Sequence, residues 1–482
     1  MSRSTYVVSG YKVGNIEIDK KYFGMPAECL SNPLQRELAD CIIRMRPLDD
    51  IRILLACGAK PNDPVTQGLR PLHYAIWHRY SEAARLLLVR GSDINARDEC
   101  GYSALHLASE HGYVELVELL LRQGAKVNFR EDTGEQFPRT MLCDEPLRLA
   151  IRHRHYEIAK LLLEHGANPN TRYFFGSEIN LLSVLDIEFL KLLLTFGADP
   201  NIRDRGGLTP LMKAARLPQG MDSVLLLLSY GADVNAMTDS RHDYRTVLHY
   251  AVLSGKLDIV YLLIKQGAIV NYDTDYQKPT PLDLSILKGD PELVKMLLNA
   301  GANVNSSSPI IGTPLHVACA DNIPNRMDIL SILLSRGADP NKVIESDGIT
   351  LRPVLAEYIA SNVQLSPQVV HMLLKFGAKV VMKTQYRDPH GILNSLQNLV
   401  SYPKLLRTIL EAAEGFDLCM IKRSSYLTQA QKRYLMELAT RPLPLVHQCR
   451  LFFRRYLGPK LIKVVPELCI PVTLHRYLLY ED

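Results

Sequence analysis

The chain has 482 residues, 47% hydrophobic and 22% charged, with 56 basic against 51 acidic residues. A formal charge of +5 with no long Lys/Arg run argues against nucleic-acid binding, and no apolar stretch reaches the roughly 18 residues of a membrane span. The nine cysteines are scattered, no C-x-x-C occurs, and the first twenty residues lack the apolar run of a secretory signal, so the expectation is reduced thiols and a cytoplasmic protein, with the nucleus also open.

Residues 1–35 carry no readable pattern. From there a unit recurs. Its end is a Gly with Asn four residues later in most copies: Gly58, Gly91, Gly124, Gly166, Gly197, Gly231, Gly267, Gly301, Gly337 and Gly377. Successive spacings are 33, 33, 42, 31, 34, 36, 34, 36 and 40, a base period of 33 with loop insertions. Its start is R/T/S-x-L-H-x-A or a variant, from RPLHYA at Arg70 through SALHLA at Ser103 to TPLHVA at Thr313. Thr or Ser is placed to cap a short first helix, and Pro suits its first turn. The apolar spacing in VELVELLL gives a second helix, Gly stops it, and the Asp/Asn-rich segment turns the chain into the next unit. One such pair cannot bury its own apolar face, so neighbours must stack.

Within this array His73, His106, His249 and His316 recur at the L-H-x-A position. Recurrence at one place in the unit predicts a structural bridge between adjacent turns rather than four catalytic bases. His153 and His155, two apart, are expected to face different ways in a loop or helix start. Cys57 and Cys319 read as core. The unit at NLLSVL (Asn180 to Leu185) has lost its opening element, and the stretch around Ile349–Ile359 keeps little beyond Thr350. The interval between Gly124 and Gly166 is nine residues over the period, and the excess falls within Phe129–Glu145. Insertions in such arrays project on one face, often the binding face, so Arg130, Phe137 and Met141 are candidate substrate contacts.

After Gly377, NSLQNLV and YPKLLRTILEAAEG read as one more worn helix pair ending at Gly415, a capping unit. Thr428–Thr440 reads as a further helix with Thr428 as its N-cap. Pro442 and Pro444 then bracket the start of a last, strongly apolar helix. Leu445, Cys449, Phe452, Phe453, Tyr456 and Leu457 recur at three or four residues, with His447, Arg450, Arg454 and Arg455 largely off that face. A cap turns a polar face outward; this helix suggests a groove-filling helix for a partner. The end of the chain is apolar and interrupted by two prolines. No P-loop, G-x-G-x-x-G, H-E-x-x-H or G-x-S-x-G occurs, and nothing predicts catalysis, a cofactor or a metal site.

The TPLHVA and GADVN signatures resemble the ankyrin repeat over residues 36–381. Leu445, Cys449 and Phe453, as L-x-x-x-C-x-x-x-Φ, resemble the elongin C-binding box of SOCS-box proteins. Leu468, Cys469, Ile470 and Pro471 resemble their cullin-selecting L-P-Φ-P box, with Cys where Pro is usual, and Leu474–Tyr480 resembles their ending. The combined arrangement is similar to the ankyrin repeat and SOCS box family. The resemblance implies an all-α fold: a solenoid of about ten repeats, some degenerate, a capping unit and helical linker at 382–440, and a small three-helix-type SOCS box at 441–482. It also implies a non-catalytic substrate receptor of a cullin-RING ubiquitin ligase. Elongin B and elongin C would contact Leu445, Cys449, Phe452, Phe453 and Leu457. Cullin-5 with its RING-box subunit would contact Leu468, Ile470 and Pro471, and an unidentified protein substrate would bind the repeats. The rivals are a plain ankyrin scaffold whose last helix only caps the stack, and an enzyme with its site in the Asn128–Asp144 insertion.

Overall fold

The computed structural model describes residues 33–129, 143–272, 278–308, 310–346, 349–362, 364–399, 401–425, 427–442 and 444–480. The chain divides into two compact units, Met1–Arg205 and Gly206–Asp482.

Among the described residues the first unit holds five helix pairs: Pro33–Ile43 with Leu48–Ala56, Pro71–Trp77 with Ser81–Val89, Ala104–His111 with Val114–Arg122, Pro146–Arg152 with Tyr156–Glu164, and Glu178–Leu181 with Ile187–Thr195. The first helix begins at Pro33, so Gln35 is not linker. It is buried, and its side-chain amide donates to the Lys60 and Asp63 carbonyls while its oxygen accepts from the Lys60 amide. The pair at Glu178 is the one whose opening element is lost, and its first helix shrinks to one turn. The second unit opens with five more pairs, from Pro210–Arg216 with Met221–Ser229 to Val354–Ser361 with Pro367–Lys375. The described residues thus hold ten full pairs, the number of repeat-ending glycines.

Each of those ten glycines has φ between +82° and +105°. A Cβ there would strain the backbone, which is why Gly ends every second helix. The Asn four residues on explains its own recurrence. Asn128 Nδ2 donates to the Gly166 carbonyl at 2.9 Å, and its Oδ1 accepts from the Asn168 amide at 2.8 Å. The same two-sided clamp runs from Asn271 to Gly301 and Asn303, and from Asn341 to Gly377 and Lys379. These Asn side chains therefore fix the register of the helix pair that follows, with hydrogen bonds worth about 1 kcal/mol each.

The histidines bridge units as expected. His249 Nδ1 accepts from the Thr246 amide at 3.0 Å, and Nε2 lies 3.2 Å from the Pro279 carbonyl one repeat on. His73 and His316 reach the Tyr102 and Arg352 carbonyls likewise. His106 meets the Cys143 thiol instead. Burial drives His73 and His249 down to about 4 and His106 to about 3, so all three are neutral bridges. Two expectations fail. Cys319 is buried, but Cys57 is exposed, because it sits at the C-cap of its helix rather than on the inward face. His153 and His155 do lie in a turn, but their rings stack, with centroids 6.2 Å apart and planes 14° apart, since a turn does not keep helical angles.

Beyond the tenth pair the array wears out. Leu393–Leu399 is a 3-10 helix and Pro403–Glu411 an α-helix. Gly415 lies in a short strand, Ala413–Phe416, pairing in parallel with Val380–Met382 instead of capping a helix. The helices Leu418–Arg423 and Gln429–Thr440 follow. Thr428 caps the latter, its hydroxyl accepting from the Gln431 amide while Gln431 Oε1 accepts from the Thr428 amide.

Candidate adaptor surface at the C-terminal end

Pro444 stands at the N-cap of a helix spanning Leu445–Leu457, where the sequence places it. Gly458 ends it, and two short turns at Gly458–Lys460 and Leu461–Val464 bring the chain round to Val465–Glu467. Pro471 is the N-cap of the last helix, Val472–Leu479. A small core of Leu461, Val465, Leu478 and Leu479 holds this segment together.

The Leu445–Leu457 helix is oriented against the usual sense. Leu445 is 75% exposed and Tyr456 79%, with Val446, Cys449 and Phe452 also exposed. Leu445, Cys449, Phe452 and Tyr456 fall at steps of four, three and four, so they form one stripe along the helix. The Phe452 and Tyr456 rings are parallel within 3°, with centroids 6.1 Å apart. The buried face instead carries Arg450 (2% exposed) and Arg454 (3%), flanking Leu451.

Those arginines find built receptors. Arg454 Nη1 and Nη2 donate to the Leu374 and Ala378 carbonyls, each at 2.7 Å. These carbonyls lie at the C-terminal end of the Pro367–Lys375 helix and just past it, where the negative end of the helix dipole meets a cation well; the Leu374 carbonyl also accepts from the Gly377 amide at 3.0 Å. The Arg450 guanidinium lies 3.3 Å from the Tyr477 ring centroid and 4.3 Å from that of Tyr480, with Glu411 3.9 Å away. Arg455 Nη2 donates to the Glu414 carbonyl at 2.7 Å. Burial raises the Tyr480 phenol despite its two cationic neighbours, so it stays neutral.

The sequence-derived candidates therefore separate. Leu445, Cys449 and Phe452 stand together in the open stripe. Phe453 and Leu457, expected on the same open face, are half-buried against the small core, because the helix must also anchor the segment that follows it. Arg450 and Arg454, expected off the apolar face, point into the protein rather than to water. The signal was present: the helix carries three arginines and no acidic residue, so their partners had to lie elsewhere. Leu468 and Ile470 pack against the small core while Cys469 and Pro471 are exposed. The Leu468 carbonyl accepts from the Ile470 amide at 2.8 Å and lies 3.1 Å from His475 Nε2, which ties that turn to the last helix. Arg130, Phe137 and Met141 lie outside the described residues. Among the described residues no group of His, Cys, Asp and Glu is placed to hold a metal ion, and no helix is long and apolar enough to cross a membrane.

Comparison with known proteins agrees with this geometry. The model for three copies of the ankyrin repeat matches residues 41–131, 90–173 and 218–308, the single-repeat model matches 312–344, and the SOCS box model matches 441–479. Among similar proteins are a Bos taurus protein described as dynein axonemal heavy chain 12 (27% identical over 270 residues, 53% of this chain and 68% of that one) and Homo sapiens ankyrin repeat and SOCS box protein 16 (25% over 322 residues, 57% of this chain and 67% of that one). Mus musculus ankyrin repeat and SOCS box protein 14 is 27% identical over 273 residues, 53% of this chain but 41% of that one. A SOCS box indicates binding to elongin B/C and a cullin in general, and the proteins that combine it with ankyrin repeats are generally non-catalytic. With five helix pairs described in each unit and a terminal segment that turns its apolar stripe outward, the chain belongs to the ankyrin repeat and SOCS box family of substrate adaptors.

Proposed function

We propose that the chain is the substrate receptor of a cullin-5-type RING ubiquitin ligase whose substrates are marked for proteasomal degradation. The observation that carries this reading is the open stripe Leu445, Cys449, Phe452 and Tyr456. A helix that only capped the repeats would bury that stripe and expose Arg450 and Arg454; the arrangement is the reverse. In this proposal Leu445 enters a pocket of elongin C, small Cys449 permits close approach, and Phe452 covers the contact. Phe453 and Leu457 fix the helix on its own small core. Leu468, Ile470 and Pro471 form the cullin-5 contact, with the RING-box subunit beyond it. The repeats hold the substrate, in part through the segment with Arg130, Phe137 and Met141. Ubiquitin transfer is then accelerated by proximity, since the conjugating enzyme and substrate become parts of one assembly.

The test is co-expression of the full chain with elongin B and elongin C, followed by addition of cullin-5 or cullin-2 with their RING-box subunits. A stable ternary complex that recruits cullin-5 in preference to cullin-2 is expected. A chain that elutes without elongins is a plain scaffold, and preference for cullin-2 overturns the cullin assignment. Replacing Arg130–Met141 with a short Gly/Ser turn should leave elongin binding intact and reduce substrate ubiquitination; unchanged ubiquitination removes that segment from the contact.

A further inference from the structure

The turn between the fourth and fifth helix pairs of the first unit carries Tyr173, Phe174, Phe175 and Gly176. It closes as a tight hairpin: the Tyr173 amide donates to the Gly176 carbonyl at 2.8 Å, and the Gly176 amide to the Tyr173 carbonyl at 3.2 Å. Gly176 has φ +132°, and a Cβ there would come within 3.0 Å of the Asn180 Cβ and 3.3 Å of the Asp204 Cα. The hairpin therefore lies close on the next turn, and the Arg205 amide donates to the Phe175 carbonyl at 3.4 Å. Tyr173 is held from the other side by the Arg148 guanidinium, 4.3 Å from its ring centroid, and Arg148 is itself fixed by Asp144 at 2.8 Å and Glu178 at 3.7 Å.

This scaffold displays two phenylalanines to water. Phe174 is 69% exposed and Phe175 51%, packed edge to face with centroids 4.9 Å apart. Adjacent exposed aromatics on a pre-ordered turn lose little freedom on binding, which is what a binding hot spot requires. Beside them stand two guanidiniums. The Arg205 guanidinium stacks on Phe174, 4.2 Å from its centroid, and Arg203 is exposed on the same turn. Among the described residues neither has a carboxylate partner. The acids of that turn bond elsewhere: exposed Asp199 accepts from the Asn201 amide at 2.8 Å and keeps its charge, and Asp204 is half-buried with a partner of its own. A guanidinium stacked by its face keeps its N–H edge open to a carboxylate.

We propose that Phe174 and Phe175, with Arg203 and Arg205, form a docking point for a protein segment that carries a carboxylate beside a large apolar side chain. This names a class of substrate segment and rests on the adaptor reading above.

The probe is a set of labelled twelve-residue peptides with Gly/Ser flanks and one of three cores: Asp-Leu-Phe-Glu, Lys-Leu-Phe-Lys or Asp-Ala-Ala-Glu. Each is titrated by fluorescence anisotropy against the full chain co-purified with elongin B/C. The acidic apolar peptide should bind at least tenfold tighter than either control. Phe174→Ala with Phe175→Ala should remove that preference, and Arg203→Glu with Arg205→Glu should move it to the lysine peptide. Phe174→Leu with Phe175→Leu keeps bulk but loses the face under Arg205, and should give an intermediate loss with an unchanged melting temperature. Equal binding of the acidic apolar peptide by wild type and both charge and alanine variants, or a wild-type preference for the lysine peptide, overturns the docking point. All tip variants should retain elongin B/C. A chain that binds the peptide selectively but never binds elongins sinks the adaptor reading and leaves the docking point standing.

Discussion

Two helices of similar amphipathic pattern point opposite ways. Val114–Arg122, in the repeats, buries Leu116, Val117, Leu120 and Leu121 and exposes Glu115 and Arg122. Leu445–Leu457 buries Arg450, Leu451 and Arg454 and exposes Leu445, Val446, Phe452 and Tyr456. The first helix is complete within its own chain. The second is complete only toward the repeats, where carbonyls and tyrosine rings take its cations, and its apolar side remains for another molecule. Amphipathic pattern decides which side chains share a face; the neighbour's chemistry decides which face turns inward.

The largest effect should come from placing one charge on each of these helices. Leu120→Asp puts an unpaired carboxylate in the core, at several kcal/mol, and should unfold the first unit. Leu445→Asp with Cys449→Phe should leave the melting curve of the free chain unchanged, because both positions are exposed, yet abolish elongin capture. If the second variant also lowers the melting temperature by many degrees, the stripe is core and the comparison fails.

Next in size is the inward face. Arg454→Met removes two charged hydrogen bonds and strands the Ala378 carbonyl, while the Leu374 carbonyl keeps the Gly377 amide, a loss of about 3 kcal/mol. Amide exchange in Leu445–Leu457 should accelerate while Val114–Arg122 stays protected, with the exposed stripe itself untouched. Unchanged exchange in the terminal helix would show that Arg454 does not latch it.

These two variants also mark what sequence alone made legible. The ten glycines, the L-H-x-A bridges and the Thr428 cap were readable because each is a local device repeated or encoded within a few residues. The terminal helix and its apolar stripe were readable from spacing. The destination of Arg450 and Arg454 was not, because their receptors at Leu374, Ala378, Tyr477 and Tyr480 are as many as 80 residues away. Phe453 and Leu457 were assigned to the open face for the same reason: the small core they pack on is built by Leu461, Val465, Leu478 and Leu479 downstream. Phe174 and Phe175 passed unremarked because a turn tip has no period to betray it.

A smaller effect shows in the repeats as a dependence on pH. The repeats hold His73 and His249 at about 4 and His106 at about 3, against about 6.5 when unfolded. Below 6.5 the unfolded chain binds more protons, so this contribution is intact above pH 6.5 and is lost as pH falls toward 4. The slope approaches about 1.4 kcal/mol per histidine per pH unit. Glu178, raised by burial to about 7, works in the opposite direction, favouring the folded first unit as pH falls from 7 to 4.5. Melting temperature should therefore drop between pH 6.5 and 5, and His249→Asn should flatten the drop in the second unit. An unaltered slope in that variant would remove His249 from the balance.

The smallest predicted change lies at Cys469. In the cullin-selecting box that Leu468–Pro471 resembles, Pro is usual at this place, and Cys469 leaves a backbone N–H and a looser φ there. The turn is already shaped for Pro: Leu468 before it has φ −74° and ψ 134°, the extended conformation that a following Pro demands. The Leu468 carbonyl is held by the Ile470 amide and His475, neither of which uses the Cys469 N–H. Cys469→Pro should therefore cost no hydrogen bond and stabilise the segment by about 0.4–1 kcal/mol through the unfolded state. Cullin-5 affinity of the elongin-bound chain should tighten by a few-fold, since less freedom is lost on docking. Titration of purified cullin-5 against both forms checks this. Equal affinity would mean that the Leu468–Pro471 turn is not at the proposed cullin contact, and that the open side of this terminal segment ends with the stripe from Leu445 to Tyr456.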